Sequence, residues 1–199
     1  GAALARRGTA FTADSARRLV GAESDQIPGL IVDQYGEFLV CQFLSAGVER
    51  WRDEIVAALV QHCAPKGIWE RSDVDVRQKE GLEPRTGLLW GEAPPERVAV
   101  QVGGFHFAAD LRAGHKTGLY LDQAENLGII SEFSRGREVL NGFAYTGAFV
   151  MAALQGGATK VTSIESSQDA VDQTGRHLQI NGFDPSRTEA LCGDVFKLL

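Results

Sequence analysis

The residues best placed to do chemistry are Val139-Leu140-Asn141-Gly142-Phe143-Ala144-Tyr145-Thr146-Gly147, then Glu165, eighteen positions after Gly147, then Gly193-Asp194-Val195-Phe196. A strand, a turn with small residues, a helix and an acid at the next strand end is the layout that holds a nucleoside ligand in a crevice. Gly142 and Gly147 let main chain approach the ligand, and the Glu165 carboxylate can accept hydrogen bonds from ribose hydroxyls. Asp194 can accept from the exocyclic amine of adenine while Val195 or Phe196 packs on the ring face. Gly-Asp after a strand is common turn chemistry, so the weight of Asp194 comes from standing third in this series.

The side chains of the loop narrow the ligand. A phosphate-binding P-loop needs Lys-Ser/Thr after the second glycine, but Ala148-Phe149 follow Gly147, which argues against ATP hydrolysis. A dinucleotide fingerprint needs Gly-x-Gly-x-x-Gly, and Phe143, Ala144 and Tyr145 stand where a pyrophosphate would require bare backbone. A tight turn lined by aromatic and polar side chains suits a cofactor without phosphates, such as S-adenosylmethionine. Three readings stay open: a methyl-transferring enzyme, a nicotinamide-dependent oxidoreductase using NAD(P), and a non-catalytic RNA-binding module whose sheet is a scaffold. A plain packing turn in an α/β domain would also account for the loop alone.

These residues need elements to position them. After Gly114 the pattern alternates: helix 122–133, strand 137–141, helix 147–155, strand 160–164, helix 167–180 and strand 188–191. That alternation predicts a parallel, doubly wound sheet with ligands beyond the carboxyl ends of its strands. Ser166 and Asp169 have N-cap spacing for the last helix, and Asn181-Gly182 supplies its stop.

From Pro28 to Asp110 the texture is strand-like. Residues 29–34 and 37–44 flank Tyr35-Gly36 as one hairpin, and 97–102 and 105–109 flank Gly103-Gly104 as a second. Residues 47–63 read as an amphipathic helix with Val48, Trp51, Ile55 and Leu59 on the core stripe, and core packing is the expectation for Trp51. The stretch 80–95, with Pro84, Pro94 and Pro95, reads as a loop. The mixed-charge runs 69–73 and 76–80 read as a solvated face or, more sharply, an RNA-facing surface. A boundary is expected near 110–114. In the joining segment, Lys116 and Gln123 are candidate polar contacts at the cleft mouth, and a lone His115 is more often structural than a base.

Composition fits a globular chain: 199 residues, 44% apolar, 23 Gly and a net charge of −6. The acidity argues against a broad nucleic-acid-binding face. No run reaches the roughly 18 apolar residues of a membrane helix, and residues 1–20 carry four Arg without a signal-peptide core. A cytoplasmic protein with no membrane partner is expected. Cys41, Cys63 and Cys192 lack CxxC spacing, so buried free thiols are expected instead of a disulfide framework or a zinc site.

With these motifs in view, the chain resembles the bacterial 23S rRNA cytosine-C5 methyltransferases of the large-subunit methyltransferase I type. The resemblance is carried by Arg18-Leu19-Val20, Glu23-Ser24-Asp25, 28–33 (Pro-Gly-Leu-Ile-Val-Asp), Leu44-Ser45-Ala46-Gly47, Glu70-Arg71-Ser72-Asp73, Glu80-Gly81, 114–123, 140–147 and Asp194-Val195-Phe196, in the family's order over essentially the whole chain. It resembles the guanine-N7 branch less, because that branch typically has His where this chain has Gln123.

The resemblance implies a Rossmann-like fold for the α/β region, here its N-terminal half at 111–199, preceded by a small α+β domain with β-hairpins at 28–110. Residues 1–27 would be a linker after an RNA-binding PUA domain, and the chain is expected to be a fragment lacking both ends. It also implies S-adenosylmethionine as cofactor, 23S rRNA as partner, and cofactor contacts from Asn141, Phe143, Tyr145 and Gly147 at the methionine end, Glu165 at the ribose and Asp194 at the adenine, with Lys116, Tyr120 and Gln123 further candidates. An uncovered sheet edge makes pairing with a second copy, a homodimer, a further expectation.

The chain departs from the family at Ala124, where Arg is usual, and at Gly142 and Ala144, one of which the family fills with Cys. Carbon-5 of cytosine is a poor nucleophile, and the family activates it by adding a Cys thiolate at C6 beside an Asp-Pro-Pro segment. No Asp-Pro-Pro occurs in this chain, and Cys192 sits on the cofactor side. No catalytic residue is therefore assigned within it, and the reacting groups are expected beyond residue 199.

Overall fold

The computed structural model describes residues 14–199, which divide into two compact units. Residues 14–102 with 108–121 form the first, and 103–107 with 122–199 the second. The chain thus passes into the second unit at Leu121–Asp122, and the turn of the second hairpin belongs there as well.

The first unit is built on a five-stranded sheet in the order β1 (Ala16–Gly21), β2 (Leu30–Tyr35), β3 (Phe38–Phe43), β4 (Gly67–Ser72), β5 (Arg85–Gly91). Neighbours are antiparallel except β3 and β4. A parallel pair needs a crossover, supplied here by helices α1 (Ala46–Arg50) and α2 (Arg52–Cys63). The core joins Leu19, Val32, Leu39, Cys41, Phe43 and Ile68 of the sheet to Leu59 and Cys63 of α2. β3 is buried at every position, the pattern of a strand covered on both faces.

Several expectations fail here, each for a tertiary reason. Of residues 1–27, read as linker, 1–13 lie outside the described residues and 16–21 are a strand bonded to β2. The single helix over 47–63 is broken at Trp51, whose φ of −104° and ψ of 20° end α1 and start α2. The break turns Trp51 out to 56% exposure, so it is not a core residue. The stretch 80–95 contains β5, whose pairing to β4 leaves the prolines outside the strand. Glu70, Arg71 and Arg77 are buried, not solvated: Arg52 bridges Glu49 and Glu70, and Arg77 bonds Glu49 and the main chain of Phe43 and Glu83. These charges are consumed inside the unit, which removes them from any RNA-facing surface.

A buried network fixes the segment that carries Lys116 and Tyr120. Asp33, with no exposed surface, accepts two bonds from Arg18 and one from the Thr117 hydroxyl at 2.6 Å. The Tyr35 hydroxyl meets Thr117 and accepts from the Leu119 amide. Val98–Val102 (β6) and Phe105–Ala109 (β7) form a two-stranded sheet around Gly103-Gly104, as the spacing predicted.

The second unit is a parallel sheet in the order β10 (Thr188–Cys192), β9 (Lys160–Glu165), β8 (Glu138–Gly142). Helix α3 (Val76–Lys79) belongs to the first unit; in the second, α4 (Ala124–Phe133) precedes β8, α5 (Ala148–Gln155) joins β8 to β9, and α6 (Gln168–Ile180) joins β9 to β10. The expected alternation and parallel pairing are present, with ends shifted by a residue or two. The cap of α6 is Ser167, not Ser166, and its hydroxyl accepts from the Ala170 amide. Among the described residues no helix is long and apolar enough to cross a membrane.

Candidate cofactor-binding site

In the parallel sheet Gly142 stands opposite Ile164, and Glu165 opposite Cys192. All three strands therefore end on one edge, and three connections emerge there: 143–147, Ser166-Ser167, and Gly193-Asp194 before the short helix α7 (Val195–Leu198). Asn141, Phe143, Tyr145, Gly147, Glu165 and Asp194 are brought to this edge. The carboxyl edge of an open parallel sheet is where ligands of this fold class bind.

The loop is held in an uncommon shape. Phe143 (φ 56°) and Tyr145 (φ 47°) are left-handed, a conformation that costs a bulky residue on the order of 1 kcal/mol or more unless its surroundings enforce it. The surroundings do so: Ala144 N donates to the Ile164 carbonyl, Tyr145 N to Glu165 Oε2 at 2.8 Å, and Gly147 N to the Ala144 carbonyl. Gly147 (φ 82°) is required by packing as well as by conformation, because a Cβ there would meet Thr174 Cγ2 at 2.5 Å. This glycine makes room for helix α6.

Glu165 ties the edge together. Its Oε1 accepts from Ser167 N at 2.9 Å and from the Ser166 hydroxyl, and its Oε2 from Tyr145 N. Burial pushes the carboxyl up, but these amides and the hydroxyl outweigh it and hold the group below the ordinary glutamate value. A carboxylate oxygen can accept two bonds, so Oε2 keeps capacity for one more donor such as a ribose hydroxyl. Asn141 Nδ2 is buried and has no hydrogen-bond partner among the described residues. An unmet donor of this kind costs about 1–3 kcal/mol and fits an acceptor such as the carboxylate of a methionine moiety. Phe143 and Phe196 are exposed and meet edge to face at 5.7 Å. Asp194 caps α7 by accepting from Phe196 N at 2.9 Å; at half exposure its other oxygen can still accept from an adenine amine.

The remaining predicted residues are placed differently. Gln123 stands at the start of α4, its Oε1 accepting from Asn126. Lys116 and Tyr120 belong to the first unit, where the ammonium lies 4.4 Å from the ring centroid. Cys41 and Cys63 are buried, but Cys192 is exposed, at the end of the edge strand β10, which is exposed or half-buried at every position. Sequence reasoning missed Thr174 and His177, which reach the loop from α6; their signal was polar side chains on a helix stripe that should be apolar.

A family model for S-adenosylmethionine-dependent methyltransferases matches residues 72–199. The chain is 49% identical over 183 residues to the ribosomal RNA large subunit methyltransferase I of Aeromonas hydrophila, covering 92% of this chain and 46% of that protein. It is 47% identical to the protein of that name from Alteromonas mediterranea, covering 93% and 46%. The chain thus spans about half the length of the curated relatives it matches. Among solved structures, a Streptococcus mutans protein described as a SAM-dependent methyltransferase superposes with a TM-score of 0.85 at 28% identity, covering 98% of this chain and 51% of that one. Another, described as a methyltransferase complexed with SAH, gives 0.82 at 28% identity, covering 97% and 48%. The chain belongs to the S-adenosylmethionine-dependent methyltransferase family.

Proposed function

We propose that the protein transfers a methyl group from S-adenosylmethionine to carbon-5 of a cytosine in 23S rRNA, and that this chain supplies the cofactor-holding part. In this reading the second unit is the N-terminal half of the methyltransferase domain and the first is the α+β domain before it. The observation that carries the cofactor role is Glu165, an ionised acid at the carboxyl edge with acceptor capacity left on Oε2. The unmet Asn141 Nδ2 supports the same reading from the other end of the crevice. The rRNA substrate rests on the names of the relatives.

When bound, the cofactor supplies a methyl group on a positively charged sulfur. Glu165 would take the ribose hydroxyls, Asn141 and the loop around Phe143 and Tyr145 the methionine end, and Asp194 the adenine amine. Phe143 and Phe196 would exclude water from the faces of the ligand. No residue of this chain is given the task of activating the base.

Calorimetric titration of the protein with S-adenosylmethionine and S-adenosylhomocysteine tests the cofactor role, and no heat at millimolar ligand would sink it. Transfer of labelled methyl to a 23S rRNA transcript, followed by mass mapping of the modified nucleotide, tests the substrate. Label on a guanine or on protein alone would overturn the cytosine assignment.

A further inference from the structure

Helix α6 buries Ala170, Gln173, Thr174, His177 and Leu178, spaced three and four residues apart. A core stripe of this kind is ordinarily apolar, yet three of these five are polar. Two of them reach the loop after β8. The Thr174 hydroxyl, 3% exposed, is 3.2 Å from the Tyr145 carbonyl and 3.1 Å from its own Ala170 carbonyl. His177, 1% exposed, places Nδ1 2.8 Å from the Thr146 carbonyl. A carbonyl only accepts, so Nδ1 carries the proton.

The loop is therefore gripped on both sides of the left-handed Tyr145 and at the carbonyl of Thr146. Glu165 takes the Tyr145 amide, while Thr174 and His177 take the next two carbonyls. The His177 ring is itself set edge-on against Phe107 at 5.1 Å, and Asn181 at the end of α6 exchanges two main-chain bonds with His106. Helix and β7 together anchor the ring that anchors the loop.

We infer that Thr174 and His177 are positioning residues for the cofactor loop. They touch no ligand; by holding the Tyr145 and Thr146 carbonyls against α6 they keep the left-handed turn in place before a ligand arrives. Such preorganisation lowers the ordering cost of binding. The ligand in this inference rests on the proposed cofactor role.

Three variants separate positioning from packing. Thr174→Val keeps the shape that Gly147 packs against and removes the donor; Thr174→Ser keeps the donor; His177→Phe keeps the ring and removes the N–H. Hydrogen exchange of the Ala144, Tyr145 and Gly147 amides is followed without ligand, and S-adenosylhomocysteine affinity by calorimetry. Thr174→Val should speed loop exchange and weaken the ligand about fivefold, the worth of one hydrogen bond, and Thr174→Ser should restore both. His177→Phe should act in the same direction. Unchanged exchange and affinity in Thr174→Val, or a loss that Thr174→Ser shares, would overturn the inference. A wild-type protein that binds no S-adenosylhomocysteine would sink the cofactor role alone, and the positioning claim would then stand or fall on the exchange difference between the two Thr174 variants.

Discussion

The Glu165 carboxylate and the Tyr145 main-chain amide lie 2.8 Å apart, so the acid that ends β9 also holds the loop that follows β8. One side chain thereby links the proposed ribose position to the shape of the loop proposed for the methionine end. Glu165→Ala should weaken S-adenosylmethionine by about 1–3 kcal/mol and loosen the loop without ligand. Calorimetry together with loop hydrogen exchange checks both; an affinity equal to wild type would remove Glu165 from the site.

The same contacts give a pH dependence of known sign. The folded Glu165 is held below its ordinary value, so its stabilisation of the loop is full above about pH 4.3, the ordinary glutamate range. It should be lost as pH falls through the lower folded value. Loop protection followed from pH 7 to 3 should show this loss in the wild type and not in Glu165→Gln; a matching acid loss in Glu165→Gln would assign it to another group.

Gly147→Ala should destabilise the second unit by about 1–3 kcal/mol, because the added Cβ meets Thr174 and the residue is left-handed. Urea unfolding measures it. The double variant Gly147→Ala/Thr174→Ala should recover part of the loss by clearing the collision, and no recovery would argue against that contact as the cause.

Asp33→Ala removes the partner of Arg18 and the acceptor of Thr117 from a fully buried position. Arg18 is itself about a third exposed, so losing the pair together with the Thr117 acceptor should cost about 2–3 kcal/mol and appear as a lower thermal midpoint for the first unit. Thr117→Val should cost only about 1 kcal/mol. Equal effects of the two would mean that the ion pair adds nothing.

The thiols should differ in reactivity. Burial, then the charges of Glu70 and Asp33, pushes the Cys41 thiol far up, and burial pushes Cys63 up; neither should react in the native protein. Cys192 is exposed and should take a thiol reagent first. Timed mass spectrometry distinguishes the three, and early modification of Cys41 would contradict the burial of β3.

Residue order alone sufficed for the second unit's parallel sheet, its helix order and the position of the loop, Glu165 and Asp194 at strand ends. These follow from local periodicity and turn chemistry, which are written in short stretches of chain. It failed where long-range contacts override local pattern. Trp51 lies on the apolar stripe of 47–63 but is turned out by a break between two helices. The charges of Glu70, Arg71 and Arg77 look solvated in a linear reading, and only the pairing of Glu70 with Arg52, of Arg71 with Asp73 and of Arg77 with Glu49 makes their burial affordable. β5 hides in a proline-flanked stretch because pairing to β4, not propensity, makes it a strand. At the candidate site, the residues brought to the carboxyl edge of the sheet were legible, but Thr174 and His177 were not. Their partners are carbonyls about thirty residues away, and a hydrogen bond to main chain leaves no mark on the identity of the residue that accepts it.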